Sequence, residues 1–324
     1  MSERTRVVVM GAEAADPPPG IRVIEEVVDL AFATTAEDLA GELGAAEVLF
    51  AWRPDRELLR KAWPGAAALR WIQGSWAGVD SLLFPELVES DVVLTNARGV
   101  FDEAMGEYVL GLMLMFAKDL IGVVDRQRRK EWRRRDAELL AGRHLLIVGV
   151  GGIGRAIGRL ASEFGMQVRG VGRATRPGDG VFDVILGTDE LDGALPWADY
   201  VVDTLPANDA TEHLFGTNAF EAMNRWTRFV NVGRGSTVDQ AALVGALQAG
   251  KIGAAALDVF EEEPLPEDSP LWEMPNVIVS PHMSGDYGGW REAVVELFVE
   301  NLERFLTGAP LRNVVDKHLG YVPG

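Results

Sequence analysis

The sequence contains no cysteine. That excludes a disulfide framework, a thiolate zinc site and a cysteine nucleophile. Histidine is scarce too, with four residues in the chain. No long apolar run is present. The longest, Val109–Ala117, falls far short of the roughly 20 residues a bilayer-spanning helix needs. The stretch Met1–Gly11 has only Val7–Met10 as an apolar segment and does not read as a signal peptide. The expected location is therefore the cytoplasm. Basic residues are outnumbered, 31 Lys and Arg against 49 Asp and Glu, for a net charge of −18. An acidic surface of this kind repels nucleic acid and anionic membranes, so neither is expected as a partner. There is no internal repeat and no low-complexity tract. What is there is ordinary for a folded chain, with 48% hydrophobic and 25% charged residues. At roughly 100–200 residues per domain, 324 residues suggest about two domains.

Short apolar runs alternate with helical patterns along the first hundred residues. Arg6–Met10, Glu47–Trp52, Arg70–Trp76 and Val92–Thr95 read as buried strands. Ala36–Leu43, Asp55–Trp63 and Leu82–Glu89 read as helices between them. Such alternation predicts a parallel sheet covered on both faces. Phe101–Leu120 reads as one long amphipathic helix, followed by the charged segment Arg126–Arg135. A second series starts at His144, with strands at Leu145–Val148, Gln167–Val171, Val181–Ile185, Tyr200–Asp203, Phe229–Val232, Ala254–Leu257 and Val277–Ser280. Helices fit Gly151–Phe164, Asp209–Phe215, Asp239–Ala249 and Gly289–Leu306. The basic run 126–135 reads as a solvated helix end; contact with nucleic acid or an anionic partner is the alternative.

The most informative local motif is Gly149-Val150-Gly151-Gly152-Ile153-Gly154, which follows a strand and opens a helix. Gly149 allows the tight turn, Gly151 lets a pyrophosphate approach the backbone, and Gly154 permits close helix–strand packing. The helix start supplies unpaired N–H groups and the positive end of its dipole. Glycine-rich turns also arise from packing alone, but the strand–turn–helix context favours dinucleotide binding. A ribose-binding acid is expected at the end of the next strand. Gly172 stands there instead, followed by Arg173 and Arg176. A small residue with two guanidinium groups suits a 2′-phosphate, and the alternative is a solvated loop.

Further segments line up around this turn. In order they are Trp76-Ala77-Gly78-Val79-Asp80, Gly106-Glu107-Tyr108-Val109-Leu110-Gly111, the glycine turn, Asp203-Thr204-Leu205-Pro206, Asn231-Val232-Gly233-Arg234-Gly235, Ala256–Pro264 and Ser280-Pro281-His282. With these in order over nearly its whole length, the chain resembles the D-isomer-specific 2-hydroxyacid dehydrogenases. The resemblance implies an α/β fold of two doubly wound, Rossmann-like domains. A discontinuous substrate domain would span 1–98 and 287–324, and a dinucleotide-binding domain 99–286. It implies reversible hydride transfer between a nicotinamide cofactor and a small 2-keto acid, in a homodimer, without a metal. It also implies a catalytic set of Arg234, Glu263 and His282. Glu263 is chosen over Glu261 and Glu262 because it directly precedes Pro264. Backbone N–H groups of Ala77 and Gly78 would join Arg234 on the substrate carboxylate. Cofactor contacts would come from Gly149, Gly151, Gly152, Ile153, Gly154, Arg173, Arg176, Leu205, Pro206, Val232, Asp258, His282 and Ser284. Asp258 would face the nicotinamide carboxamide; capping a strand end is its other reading.

The chemistry asks for the same residue types. Reduction of a 2-keto acid needs a proton donor that titrates near neutrality, a carboxylate to orient it, and a cation for the substrate carboxylate. The run Gly172–Pro177 resembles the NADPH-using glyoxylate/hydroxypyruvate reductases of the family, so NADP is the expected cofactor, with NAD as the second. Three other readings share the fold. A formate dehydrogenase would carry glutamine where Glu263 stands, and a phosphite dehydrogenase lysine where Ala77 stands. A dinucleotide-sensing corepressor-like protein can keep the whole catalytic set. Trp76, Asp286, Tyr287 and Trp290 depart from the family's usual pattern. Trp132 matches a tryptophan often found shortly before the glycine turn.

Overall fold

The structure is a computed structural model and describes residues 4–323; Met1–Glu3 of the N-terminal reading and Gly324 lie outside the described residues. The chain forms two compact units, one running to Phe101 and resuming at Tyr287, the other spanning Asp102–Asp286.

The first unit holds β1 (Arg6–Met10), β2 (Asp29–Ala33), β3 (Val48–Ala51), β4 (Trp71–Gly74) and β5 (Val93–Thr95) in the order β2-β1-β3-β4-β5. All pairings are parallel. Val7–Met10 and Val48–Ala51 are buried throughout, as in a sheet covered on both faces. β2 was not expected. It is an edge strand, it begins with an exposed aspartate, and most of it is only half buried, so it carries no continuous apolar run. Helices α1 (Ala36–Leu43) and α2 (Arg56–Ala62) start where Thr35 and Asp55 accept the N–H groups of Asp38 and Leu58. α3 is shorter than expected, Pro85–Val88, because the chain is still extended at Phe84 and Pro85 opens the helix.

The second unit begins with α4 (Asp102–Lys118) and α5 (Leu120–Arg128) in place of one helix. Asp119 takes a left-handed conformation, φ 48°, and breaks the run. The unit continues with β6 (His144–Val148), α6 (Gly152–Glu163), β7 (Gln167–Gly172), β8 (Arg176–Pro177), β9 (Val184–Gly187), α7 (Leu191–Ala194), β10 (Tyr200–Asp203), α8 (Thr217–Ala222), β11 (Arg228–Asn231), α9 (Gln240–Gln248), β12 (Ala254–Leu257) and β13 (Val277–Val279). Strand order is β13-β12-β11-β10-β6-β7-β9-β8, parallel except for the β8–β9 pair. The order reverses between β6 and β10, a switch point of the kind that accepts ligands at the strand C-termini.

Two expectations fail here for local reasons. Residues 209–215 form turns and not a helix. The Asn208 side chain takes the Ala210 N–H, and the Thr211 hydroxyl donates to the Pro206 carbonyl, so side chains compete with helical bonding. The strand expected at Val181–Ile185 starts later, at Val184, because Asp179 accepts the N–H groups of Val181 and Phe182 in a turn. The final helix, α10 (Trp290–Thr307), returns to the first unit, where Phe298 stacks on Phe50 with ring centroids 4.3 Å apart. It stops at Gly308, a left-handed C-cap.

Candidate active site

The glycine turn joins β6 to α6 at the switch point. Gly149 has φ 108°, and a Cβ there would collide with Thr204, whose hydroxyl donates to the Gly149 carbonyl. A Cβ on Gly154 would fall 2.0 Å from the Gly149 oxygen, so only glycine lets the helix start this close to the strand. Around Gly151 there is open space. Gly152 and Ile153 begin α6, whose first N–H groups therefore face the position a pyrophosphate needs. These features fit a dinucleotide.

Gly172 ends β7, where a Cβ would lie 2.9 Å from the Val150 side chain. A ribose-binding aspartate would therefore have to displace Val150. The following loop is braced. The Gly187 N–H donates to both Thr175 Oγ1 and Glu190 Oε2, each at 2.9 Å, and Arg155 pairs with Asp179 at 2.5 Å. Arg173 and Arg176 are exposed on it.

Arg234, Glu263 and His282 all belong to the second unit. His282 Nδ1 lies 2.8 Å from Glu263 Oε2, and the other Glu263 oxygen accepts the Phe260 N–H at 3.0 Å. Of the neighbouring acids, Glu261 pairs with His213 instead. The bond to Glu263 holds the His282 pKa above its ordinary value, against the lowering effects of partial burial and the Arg234 charge. Burial pushes the Glu263 carboxyl up. The bonds from His282 and Phe260, with the charges of His282 and Arg234, outweigh that and leave it below the usual range. Arg234 is thus near enough to act electrostatically on both. By linkage, Glu263 contributes stability that is lost as pH falls through its lowered pKa. His282 contributes stability that is lost as pH rises through its raised one.

The His282 backbone is left-handed, φ 51°, and its N–H donates to the Asp258 carbonyl at 2.8 Å. The fully buried Asp258 carboxylate accepts the Ser280 hydroxyl at 2.6 Å and the N–H groups of Met283 and Ser284 at 3.0 and 2.8 Å. Those bonds make Asp258 the anchor of the histidine loop. Ser284 is buried in that loop. Tyr108, from α4, bonds the Ser280 hydroxyl and extends the anchor. Sequence reasoning gave Tyr108 no role, although Gly106-Glu107-Tyr108 belongs to the segments quoted for the resemblance. Leu205 and Pro206 follow β10, and Val232 follows β11, at the same sheet edge as the glycine turn.

Ala77 and Gly78 belong to the first unit, in the loop after β4. Its backbone is fixed by Asn96 Nδ2 donating to the Ala77 carbonyl at 2.5 Å and by the Ala97 N–H donating to the Trp76 carbonyl at 3.0 Å. Trp76 is partly exposed and packs on Phe101 and Trp290, with centroids 5.8 and 5.0 Å away, and Trp290 continues to Trp52. A groove of about 840 Å³ among Trp71, Val92, Val93 and Phe305 opens at the N-terminal ends of β4 and β5, away from these residues.

A family model described as D-isomer specific 2-hydroxyacid dehydrogenase, NAD binding domain, matches residues 110–284. The chain belongs to this family. It is 31% identical over 304 residues to the D-3-phosphoglycerate dehydrogenase of Methanocaldococcus jannaschii, covering 91% of this chain and 57% of that enzyme. It therefore spans little more than half the length of that relative. It is 36% identical over 282 residues to glyoxylate/hydroxypyruvate reductase B of Salmonella paratyphi A, covering 85% and 84% of the two chains. The solved NADPH-dependent glyoxylate/hydroxypyruvate reductase of Sinorhizobium meliloti, in complex with NADP and sulfate, superposes with a TM-score of 0.82 at 26% identity, over 98% of this chain and 100% of that one. The α/β fold with parallel sheets is that of this dehydrogenase family.

The His282–Glu263 bond yields a pH prediction. Glu263→Gln removes the charge that raises the His282 pKa, so the protonated imidazole is lost at lower pH. The alkaline limb of the rate of 2-keto acid reduction shifts to lower pH. An alkaline limb that stays in place in the variant contradicts a working contact between the two side chains.

Proposed function

We propose that this chain is an NAD(P)-dependent 2-keto acid reductase, acting reversibly on D-2-hydroxy acids, with glyoxylate or hydroxypyruvate as the substrate type. The observation that carries this reading is the His282–Glu263 pair at 2.8 Å in the same unit as the glycine turn, with the Arg234 charge acting on both. The nicotinamide cofactor, when bound, supplies the hydride. The first turn of α6 with Gly151 receives the pyrophosphate, and Leu205, Pro206 and Val232 border the rest of the cofactor. Arg234 holds the substrate carboxylate and polarises the neighbouring carbonyl. His282 donates the proton to the carbonyl oxygen, and Glu263 keeps it protonated and oriented. Turnover of glyoxylate by the purified protein tests the reading. Dinucleotide binding without turnover of any small 2-keto acid would favour a sensing protein instead.

NADP is the proposed preferred cofactor. Gly172 offers no acceptor for a ribose hydroxyl, and Arg173 and Arg176 stand exposed on a braced loop. One charge-assisted bond of about 1.5–3 kcal/mol gives roughly tenfold or more in kcat/KM for NADPH over NADH. Equal use of NADH by the wild type refutes the preference. A preference that survives Arg173→Ala with Arg176→Ala refutes the role of these arginines.

The proposed assembly is a cytoplasmic homodimer. Leu120, Ile121, Val123 and Val124 are exposed on α5, and Trp132 beyond it is 99% exposed. An apolar surface of this kind marks an interface. In the basic run 126–135, which starts inside α5, Arg126 and Arg135 pair with Asp119, Arg128 with Asp125 and Arg129 with Glu131, which supports its reading as a solvated helix end. Among the described residues no helix is long and apolar enough to cross a membrane.

A further inference from the structure

Asp203 ends β10 and is completely buried. Its Oδ1 accepts the Leu205 N–H at 2.9 Å, and its Oδ2 lies against the Thr237 hydroxyl. The same hydroxyl oxygen lies 2.6 Å from the carbonyl oxygen of Arg234. The row Asp203 Oδ2, Thr237 Oγ1, Arg234 O has two oxygen–oxygen contacts and needs a proton in each. A threonine hydroxyl supplies one proton and a carbonyl none. The other belongs to Asp203.

We propose that Asp203 is a neutral carboxylic acid that donates to Thr237 and, through it, fixes the Arg234 backbone, making Asp203 and Thr237 positioning residues for the substrate-binding guanidinium. The function of Arg234 here rests on the proposed reductase reading. The surroundings suit an uncharged acid. The register partners of Asp203 on β6 and β11 are Val148 and Asn231, which do not titrate. On the turn that follows β11 its partner is Thr237, and Arg234 meets the row through its carbonyl. Burial pushes the Asp203 carboxyl up to about 7, although the bonds from Thr237 and Leu205 pull it down.

Asn231 braces the same turn, donating to the Arg234 carbonyl at 3.0 Å and accepting the Gly233 N–H at 2.9 Å. A Cβ on Gly233 would lie 2.7 Å from the Leu205 oxygen, so the arginine turn is packed against the Leu205 loop. Above neutrality Asp203 ionises. The Thr237 proton then turns to the carboxylate, and the Arg234 carbonyl loses that donor.

The test combines a titration with kinetics. Carboxyl carbon-13 NMR of aspartate-labelled protein, with Asp203→Asn identifying the signal, reads the proton directly. The Asp203 signal is expected to titrate near 7, well above the ordinary aspartate range. In 2-keto acid reduction below neutrality, Thr237→Val is expected to raise the KM for keto acid about tenfold. Its NADPH dissociation constant stays unchanged and Thr237→Ser restores the KM. Asp203→Asn, whose amide donates to Thr237 and accepts from Leu205, keeps the low KM where Asp203→Ala does not. Its melting temperature also rises relative to wild type between acid and neutral pH. A carboxyl with raised folded pKa loses its stabilisation as pH rises from its unfolded value towards 7, and asparagine does not titrate. An Asp203 signal in the ordinary range overturns the protonation. An unchanged KM in Thr237→Val, or an Asp203→Asn variant as impaired as Asp203→Ala, overturns the positioning role. The carboxyl titration is read on the resting protein, so it decides where the proton sits even if no 2-keto acid is reduced.

Discussion

Replacing His282 by alanine is expected to lower kcat for 2-keto acid reduction by about 10²–10⁴-fold, the usual contribution of a general acid. NADPH binding should persist, because His282 touches no phosphate in this reading. The effect is large because the other two histidines of the second unit have partners of their own. His213 is committed to Glu261, and His144 is tied to the Trp197 carbonyl and stacked on its ring. The left-handed backbone at position 282 adds a complication, since alanine tolerates φ 51° poorly. His282→Asn tolerates it better and separates loss of the proton donor from distortion of the loop. Both variants should lose the rate and keep the dissociation constant for NADPH. A steady-state rate within about threefold of wild type in either, far below the range for a general acid, would remove His282 from the mechanism.

Arg234→Lys should raise the KM for keto acid and lower kcat together. Arg234 sits half-buried between two glycines, and both are there for close approach. A Cβ on Gly233 would strike the Leu205 backbone, and one on Gly235 would fall 1.9 Å from the Phe260 carbonyl carbon. The turn is wedged between two loops, so the direction of the Arg234 side chain is set by packing. Lysine keeps the charge and loses the planar fork that meets a carboxylate and a carbonyl at once. Loss of a charge-assisted bond, about 1.5–3 kcal/mol, corresponds to roughly 10–150-fold in kcat/KM. A variant that changes kcat and leaves KM fixed would show that Arg234 is not the carboxylate anchor.

Much of the second unit was legible because its strands are buried on both faces, and burial of that kind writes itself as uninterrupted apolar runs. Leu145–Val148, Tyr200–Val202 and Ala254–Leu257 are such runs. The glycine turn was legible because Gly149 and Gly154 answer steric demands and Gly151 leaves open space between them. β2 was hidden by its edge position, and the break at Asp119 by a backbone conformation that no pattern announces. The turns at 208–215 were hidden by side-chain bonds that outcompete a weak helical pattern.

By itself, then, the sequence determined the alternation of strands and helices, the dinucleotide turn, and the residue types around Arg234, Glu263 and His282. These are properties of local order, readable because spacing and residue chemistry act over a few positions. Only the tertiary structure decided that Glu261 turns to His213, how Asp258 gathers the loop from Ser280 to Ser284, and that Asp203 shares the Thr237 hydroxyl with the Arg234 carbonyl. Those are contacts between residues far apart in the chain, and parallel strand order creates them. β10, β11 and β12 end side by side, so the residues just past each strand meet whatever their separation in sequence. A buried carboxyl group looks in the sequence like any other aspartate; only the count of donors and acceptors around it assigns the shared proton.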